Sequence, residues 1–170
     1  MSAQTPTIAK QGLINSHGER MQALIRQATV DDLPAILDLY AQPDMDNNKV
    51  TTLENAKELF EQFGLYPNYH LYVACYPSAN NKVVGTFALM VMHNIGHQGS
   101  PSAIVEDVVV SSSHQSQNIG NEMMVHAMGL ARQAGCYKLA LSSNQKRQRA
   151  HAFYESLGFE KHGYSFQINL

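Results

Sequence analysis

The feature that most constrains this chain is the run from residue 102 to residue 142. An apolar, β-rich segment, "SAIVEDVVVS" (102–111), passes through "SSHQSQN" (112–118) into "IGNEMMVHAMGLARQAG" (119–135), and "YKLALS" (137–142) follows. Ile119, Met123, Met124, Ala127, Leu130 and Ala131 share one helical face, and Gly135 closes the helix. Strand, helix and second strand in that length form a βαβ crossover between parallel strands.

The flanking segments extend the pattern. "ALIRQA" (23–28) reads as a strand, and "TVDDLPAILDLYAQ" (29–42) as a helix capped by Thr29 or Asp31, with Leu33, Ile36, Leu37 and Tyr40 inward. "TTLENAKELFEQF" (51–63) repeats that logic, with Thr51 or Thr52 as cap and Gly64 as stop. "HLYVACY" (70–76) and "KVVGTFALMVMH" (82–93) form a hairpin around the turn cluster "PSANN". "RQRAHAFYESLGF" (147–159) is a helix with Ala150, Phe153, Tyr154 and Leu157 inward, and "YSFQINL" (164–170) alternates like a final strand. The order is β-α-α-β-β-β-α-β-α-β. It predicts an α/β (α+β) fold: one mixed sheet with helices on both faces, over residues 21–170. Residues 1–20 show no sustained periodicity and read as a flexible leader.

Composition narrows the function classes. The 170 residues suit one domain. A formal net charge of -2 makes no bulk case for nucleic acid or an anionic membrane. The longest apolar run, "VVGTFALMVM" (83–92), is too short to span a bilayer, and the polar N-terminus has no secretory h-region. Cys75 and Cys136 form no CxxC or metal-ligand spacing. Together these point to a cytoplasmic protein with reduced thiols. His93 and His97 stand four apart beside Gly96 at a strand end, not on a helix face, so no metal is expected. The Met-rich "EMMVHAM" (122–128) reads as core packing.

The loop 112–120 leads from a strand straight into a helix N-terminus. There unpaired backbone N–H groups and the helix dipole favour phosphate or pyrophosphate. One permissive residue at the tightest point is enough, and Ser116, Asn118 and Gly120 meet that need. The alternative is an ordinary strand-to-helix connection, routine in α/β domains.

Two ordered motifs raise the first reading. "QSQNIG" (115–120) fits the acetyl-CoA loop Q/R-x-x-G-x-G/A at Gln115 and Gly120. It departs at Asn118, where glycine is usual, and Ser116 stands where glycine is frequent. "AHAFYESLGF" (150–159) matches A-x-x-F/L-Y-x-x-x-G-F. In these motifs the chain resembles the GNAT family of N-acetyltransferases over about residues 22–170, most specifically over 103–159. The C-terminal half is most similar to aminoalkylphosphonate acetyltransferases. It shares Asn118-Ile119-Gly120 and the run "SSNQKRQRAHAFY" (142–154) with them.

The resemblance implies acetyl-CoA as co-substrate, a small-molecule primary amine as acceptor, and direct attack of that amine on the thioester. It implies that Val108, Val109 and Val110 offer backbone groups to the pantetheine arm where the sheet splays. Gln115, Ser116, Gln117, Asn118, Ile119, Gly120 and Asn121 would then hold the pyrophosphate. Tyr154 would protonate the departing thiolate; the alternative is a buried packing aromatic. Glu106 or Asp107 would take the ammonium proton. Adjacent strand residues are expected on opposite faces, so only one of them would serve. Asn144 would bind the pantetheine amide or simply form a turn. Arg147 would reach a CoA phosphate or lie solvated. His151 would stack near the cofactor or sit as an ordinary half-buried histidine. Dimers are common in the family. A non-catalytic acyl-CoA-binding module and an enzyme acting on a protein amine are the alternatives. The acceptor pocket falls largely to residues 41–69 and 94–101, which carry no recognisable signature.

Overall fold

The computed structural model describes residues 13–14, 20–76 and 80–168. Among the described residues there are seven strands: β1 (Leu13–Ile14), β2 (Arg20–Met21), β3 (Leu24–Gln27), β4 (Tyr69–Tyr76), β5 (Lys82–Met92), β6 (Ser102–Val110) and β7 (Leu139–Ala140). Four helices accompany them: α1 (Leu33–Tyr40), α2 (Leu53–Phe63), α3 (Ile119–Gln133) and α4 (Gln148–Ser156). β1 pairs antiparallel with β2, so part of the expected leader carries local structure; the rest of residues 1–20 lies outside the described residues.

β3 to β7 form one five-stranded sheet in sequence order. Its first four strands are antiparallel neighbours, and β6 pairs with β7 in parallel. The sheet is therefore mixed, as the βαβ pattern predicts. Asn80 and Asn81, at the β4–β5 turn, both take φ > 0 (48° and 54°), which a tight hairpin turn favours.

Alternation along the strands sends side chains to two cores. Tyr72, Ala74, Val84, Phe87, Leu89, Ala103 and Val105 meet Ile119, Met123, Met124, Ala127 and Ala131 of α3. Leu71, Val73, Cys75 and Ala88 meet Leu33 and Ile36 of α1 and Ala56 of α2. Helices thus cover both faces. Phe87 is fully buried and stacks on Tyr72 with centroids 5.0 Å apart.

Caps fall close to where the sequence puts them. Thr29 and Asp32 form a capping box ahead of α1. Thr52 Oγ1 accepts from the Asn55 N–H at the start of α2. Arg26 donates from both terminal nitrogens to the Asp32 carboxylate, at 2.7 and 2.8 Å, tying β3 to this entry.

Two expectations are corrected. Residues 137–142 yield a strand of only two residues, Leu139–Ala140. The final strand over 164–170 does not form across residues 164–168, whose Tyr164, Phe166 and Ile168 are exposed; residues 169–170 lie outside the described residues. Alternation alone does not make a strand. It needs an edge to pair with, and β7 offers a short one.

Candidate active site

β6 is the spine of the site. It pairs with β7 only at Ala103–Leu139 and Ile104–Ala140. Beyond Ile104 no described strand pairs with β6 on that side, so the backbone edge through Val108, Val109 and Val110 is not taken up by a neighbouring strand. The Val109 side chain is buried and those of Val108 and Val110 are half-buried, so these residues can offer a ligand their main chain.

β6 runs directly into the loop before α3. Ser116 and Asn118 both have φ > 0 (63° and 72°). Those are the two positions where glycine is frequent in the motif, and Asn is among the residues that tolerate this region best. Gly120 is a glycine for another reason. A β-carbon there would meet the Phe153 ring at 3.3 Å. Gly120 is where α4 closes on α3, and the turn is made by its neighbours.

The N-terminus of α3 is bare. Asn118 is the N-cap but makes no side-chain cap hydrogen bond. Its Nδ2 donates instead to Glu122 Oε1 at 3.1 Å. The Ile119 side chain is fully buried, so this residue can offer only its N–H. Asn121 lines a cleft of about 470 Å³ between the start of β3 and the first turns of α3, together with Asn118 and Glu122. That cleft holds none of Tyr154, Glu106 or Asp107. Gln115 and Ser116 are exposed, and Gln117 Nε2 donates to the Ser113 carbonyl.

The two acids of β6 lie closer together than strict alternation allows. The ladder with β5 matches Thr86 to Val109 and Ala88 to Glu106, so Asp107 and Val108 together face Phe87. This is a β-bulge, and Asp107 adopts φ 53° in it. Glu106 stands opposite Ala88, a member of the α1/α2 core. Asp107 bears on the phenols of Tyr40 and Tyr69, which pack on that same core. The expectation of opposite faces is therefore corrected: the bulge turns both acids toward the α1/α2 side.

Glu106 and Asp107 are both exposed side chains, yet partial desolvation on β6 raises the Glu106 carboxyl, and the neighbouring Asp107 charge raises it further. Asp107 is also raised, by desolvation and then by Asp46. Tyr154 is half-buried on α4, with ring centroids 5.2 Å from Phe153 and 5.8 Å from Phe159. Burial raises its phenol; the Arg147 charge lowers it and the Glu106 charge raises it. Tyr154, Glu106 and Arg147 thus share one electrostatic neighbourhood.

Asn144 makes the turn that the simpler reading anticipates: its Oδ1 accepts from the Lys146 N–H at 2.9 Å. Its carbonyl lies 3.0 Å from His151 Nε2, which fixes that ring to the turn before α4. Arg147 is exposed at the N-cap of α4. Among the described residues no group of three or more His, Cys, Asp or Glu side chains is placed to hold a metal ion, and His97 stacks on Tyr137 at 4.0 Å.

Sequence reasoning missed three residues. Gln42 Oε1 accepts from the Ser112 N–H at 2.7 Å, and its Nε2 donates to the carbonyls of Leu39 (3.0 Å) and Val110 (3.4 Å), so the α1–α2 loop is pinned to the end of β6. Glu122 accepts from the Ala23 N–H at 2.7 Å. The Ser143 hydroxyl is buried without a hydrogen-bond partner among the described residues, a state polar groups seldom keep. Only Glu122, four residues after Asn118 on a helix, carried a local signal.

The model of the acetyltransferase (GNAT) family matches residues 33–159. The chain belongs to this family. It is 28% identical to the aminoalkylphosphonate N-acetyltransferase of Salmonella typhimurium over 142 residues, 84% of this chain and 88% of that protein. It is 32% identical to the glucosamine 6-phosphate N-acetyltransferase of Trypanosoma brucei brucei over 89 residues, 52% of this chain and 58% of that one. The crystal structure of a transcriptional regulator from Bacillus halodurans superposes with a TM-score of 0.79 at 25% identity, over 88% of this chain and all of that one. Among the described residues no helix is long and apolar enough to cross a membrane.

Proposed function

We propose that this chain is an acetyl-CoA-dependent N-acetyltransferase acting on a primary amine of a small molecule by direct attack. The observation that carries the reading is the open edge of β6 running into the bare N-terminus of α3. A pantetheine amide can pair with the free strand edge, and the pyrophosphate can take the first-turn N–H groups of α3. The thioester then lies near the bulge, between the acids of β6 and Tyr154.

The roles follow from the chemistry. An amine arrives as an ammonium and must lose a proton before attack. Glu106 suits that step, because its charge is felt at Tyr154 as well as at Tyr69, whereas Asp107 bears on Tyr40 and Tyr69. The amine nitrogen bonds to the carbonyl carbon, backbone N–H groups polarise the carbonyl, and the C–S bond breaks. Tyr154, kept protonated by burial, gives its proton to the thiolate. Relatives named for glucosamine 6-phosphate and for aminoalkylphosphonates put amines bearing an anionic group first in the search for the acceptor.

The test is calorimetric binding of acetyl-CoA and CoA, then thiol release over glucosamine 6-phosphate, aminoalkylphosphonates, polyamines, amino sugars and amino acids. Micromolar binding with turnover on at least one amine is expected. Binding without thiol release on any amine would leave a sensing module instead, and no binding would remove both readings.

A further inference from the structure

The loop between α1 and α2 is folded on its own backbone. Met45 and Asn47 donate to the Gln42 carbonyl at 3.0 and 3.2 Å, Asn48 to that of Ala41 at 3.0 Å, and Asp46 to that of Tyr40 at 3.0 Å. Asn47 and Asn48 both take φ > 0 (48° and 63°), a conformation Asn tolerates better than most residues. A side chain joins this self-contained loop to the sheet. Gln42 Oε1 accepts from the Ser112 N–H at 2.7 Å, and its Nε2 donates to the carbonyls of Leu39 at 3.0 Å and, more weakly, Val110 at 3.4 Å. Ser111, between Val110 and Ser112, donates to the Val84 carbonyl of β5. Backbone groups alternate in direction along a strand, so Gln42 sits on the opposite edge, the one β7 leaves unpaired. Its amide there takes a C=O and an N–H two residues apart, the pair of bonds a neighbouring strand would make.

The placement matters because of what the loop carries. The Asp46 charge bears on Asp107 and on the Tyr40 phenol. Asp107 adjoins Glu106 in the bulge of β6. An ammonium group arriving there meets one acid from the loop and two from the strand.

We infer that Gln42 is a positioning residue for the acceptor: it seats the α1–α2 loop, and Asp46 with it, on the end of the strand that carries Glu106 and Asp107. The inference rests on the reading of these acids as the acceptor side and of the β6 edge as the pantetheine site. Ser112 is exposed, so water replaces Gln42 on its N–H when the side chain is lost, and the fold loses little. What is lost is the loop's place beside the acids. The amine then binds more weakly, while the reacting groups, which Gln42 does not touch, keep their rate.

The experiment follows thiol release by the full chain with glucosamine 6-phosphate as the varied acceptor, or with the fastest amine of the panel where that one is not turned over. Gln42→Met keeps the length of the side chain and removes its hydrogen bonds. It is expected to raise KM for the amine about tenfold, with kcat and KM for acetyl-CoA within about threefold and the melting temperature within a few degrees. Asp46→Asn, which removes only the charge, is expected to raise the same KM, and the double variant to do no more than the larger single effect. An unchanged amine KM in Gln42→Met, a loss confined to kcat, or additive losses in the double variant overturns the inference. A second measurement needs no acceptor. CoA added to the isotope-labelled chain is expected to shift the backbone amide resonances of residues 44–49 together with those of 108–112, and in Gln42→Met only the latter. Loop resonances that move equally in both proteins, or in neither, overturn the inference too. Failure of the unsubstituted protein to bind CoA overturns the cofactor reading instead, so the two failures are told apart.

Discussion

The ring of Phe153 on α4 stands 3.3 Å from where a β-carbon on Gly120 of α3 would lie. Tyr154, the next residue, packs its ring on Phe153 with centroids 5.2 Å apart. Gly120→Ala asks the ring to give by a few tenths of an ångström and is expected to cost about 1 kcal/mol. Gly120→Val adds a branched three-carbon side chain to a site without room and is expected to cost about 3 kcal/mol and to abolish CoA binding as α4 is pushed off. Thermal melts and calorimetry on both variants check this. Equal stability for Val and Gly would show that α4 does not close on α3 as described.

Asn118 is the complementary case, because its backbone does what a glycine would do. At φ 72° Asn118→Gly removes strain, and CoA affinity is expected to stay within about threefold. Asn118→Val places a β-branched side chain in the left-handed region, at a cost of about 2 kcal/mol, and should lower both melting temperature and CoA affinity. A Val variant that binds CoA normally would show that the loop conformation is not required.

The Arg26–Asp32 pair predicts an acid-dependent stability. Asp32 is buried, and the Arg26 hydrogen bonds hold its carboxyl down at about 2 from an ordinary 3.8. A depressed carboxyl contributes stability above its unfolded value and loses it as pH falls through its folded value. That contribution is about 2 kcal/mol at pH 7, fading between about pH 4 and pH 2. Asp32→Asn is expected to lower the melting temperature by about 4–8 °C at pH 7, and by much less at the bottom of that window. A pH-independent difference would show that the loss is one of packing.

What was legible in the sequence follows from the range of the physics. α3 repeats at helical spacing, and Ile119, Met123, Met124, Ala127 and Ala131, all assigned to its inner face, are buried. β4 to β6 read as strands because their apolar runs are long and bounded by turn residues. The bulge did not show, since Asp107 takes a left-handed conformation with no glycine to announce it, and alternation then put Glu106 and Asp107 on opposite faces. The contacts that shape the loop before α3 join residues 70 and 99 positions apart, Gln42 to Ser112 and Ala23 to Glu122, and no local pattern encodes them. Residues 164–168 failed in the opposite sense, as their alternation is real but they take no strand conformation.

Tyr154 permits a clean separation of packing from chemistry. Tyr154→Phe keeps the ring against Phe153 and Phe159, so the melting temperature is expected to stay within a few degrees. Removing a general acid costs on the order of 10²–10⁴-fold in rate. KM for acetyl-CoA should move little, since the phenol acts on the leaving sulfur. Burial raises the phenol, so Tyr154 adds no alkaline limb to the rate profile below the ordinary tyrosine value. An unchanged kcat would remove Tyr154 from the mechanism.

The acids of β6 make the sharpest test, because one substitution answers two questions. Asp107→Asn keeps a side chain that tolerates φ 53° and removes one charge. If Glu106 takes the ammonium proton, most of kcat survives. The Glu106 carboxyl, relieved of its neighbour's repulsion, then titrates lower, and the acid limb of the rate profile moves to lower pH. Stability should move as well. A carboxyl raised in the folded state costs the fold stability once pH exceeds its unfolded value, so Asp107→Asn is expected to raise the melting temperature at pH 8 more than at pH 4. Glu106→Gln, by contrast, is expected to lower kcat by on the order of 10²-fold or more at every pH. If Asp107→Asn produces the larger loss, with no shift of the acid limb, the roles are reversed and Asp107 is the base.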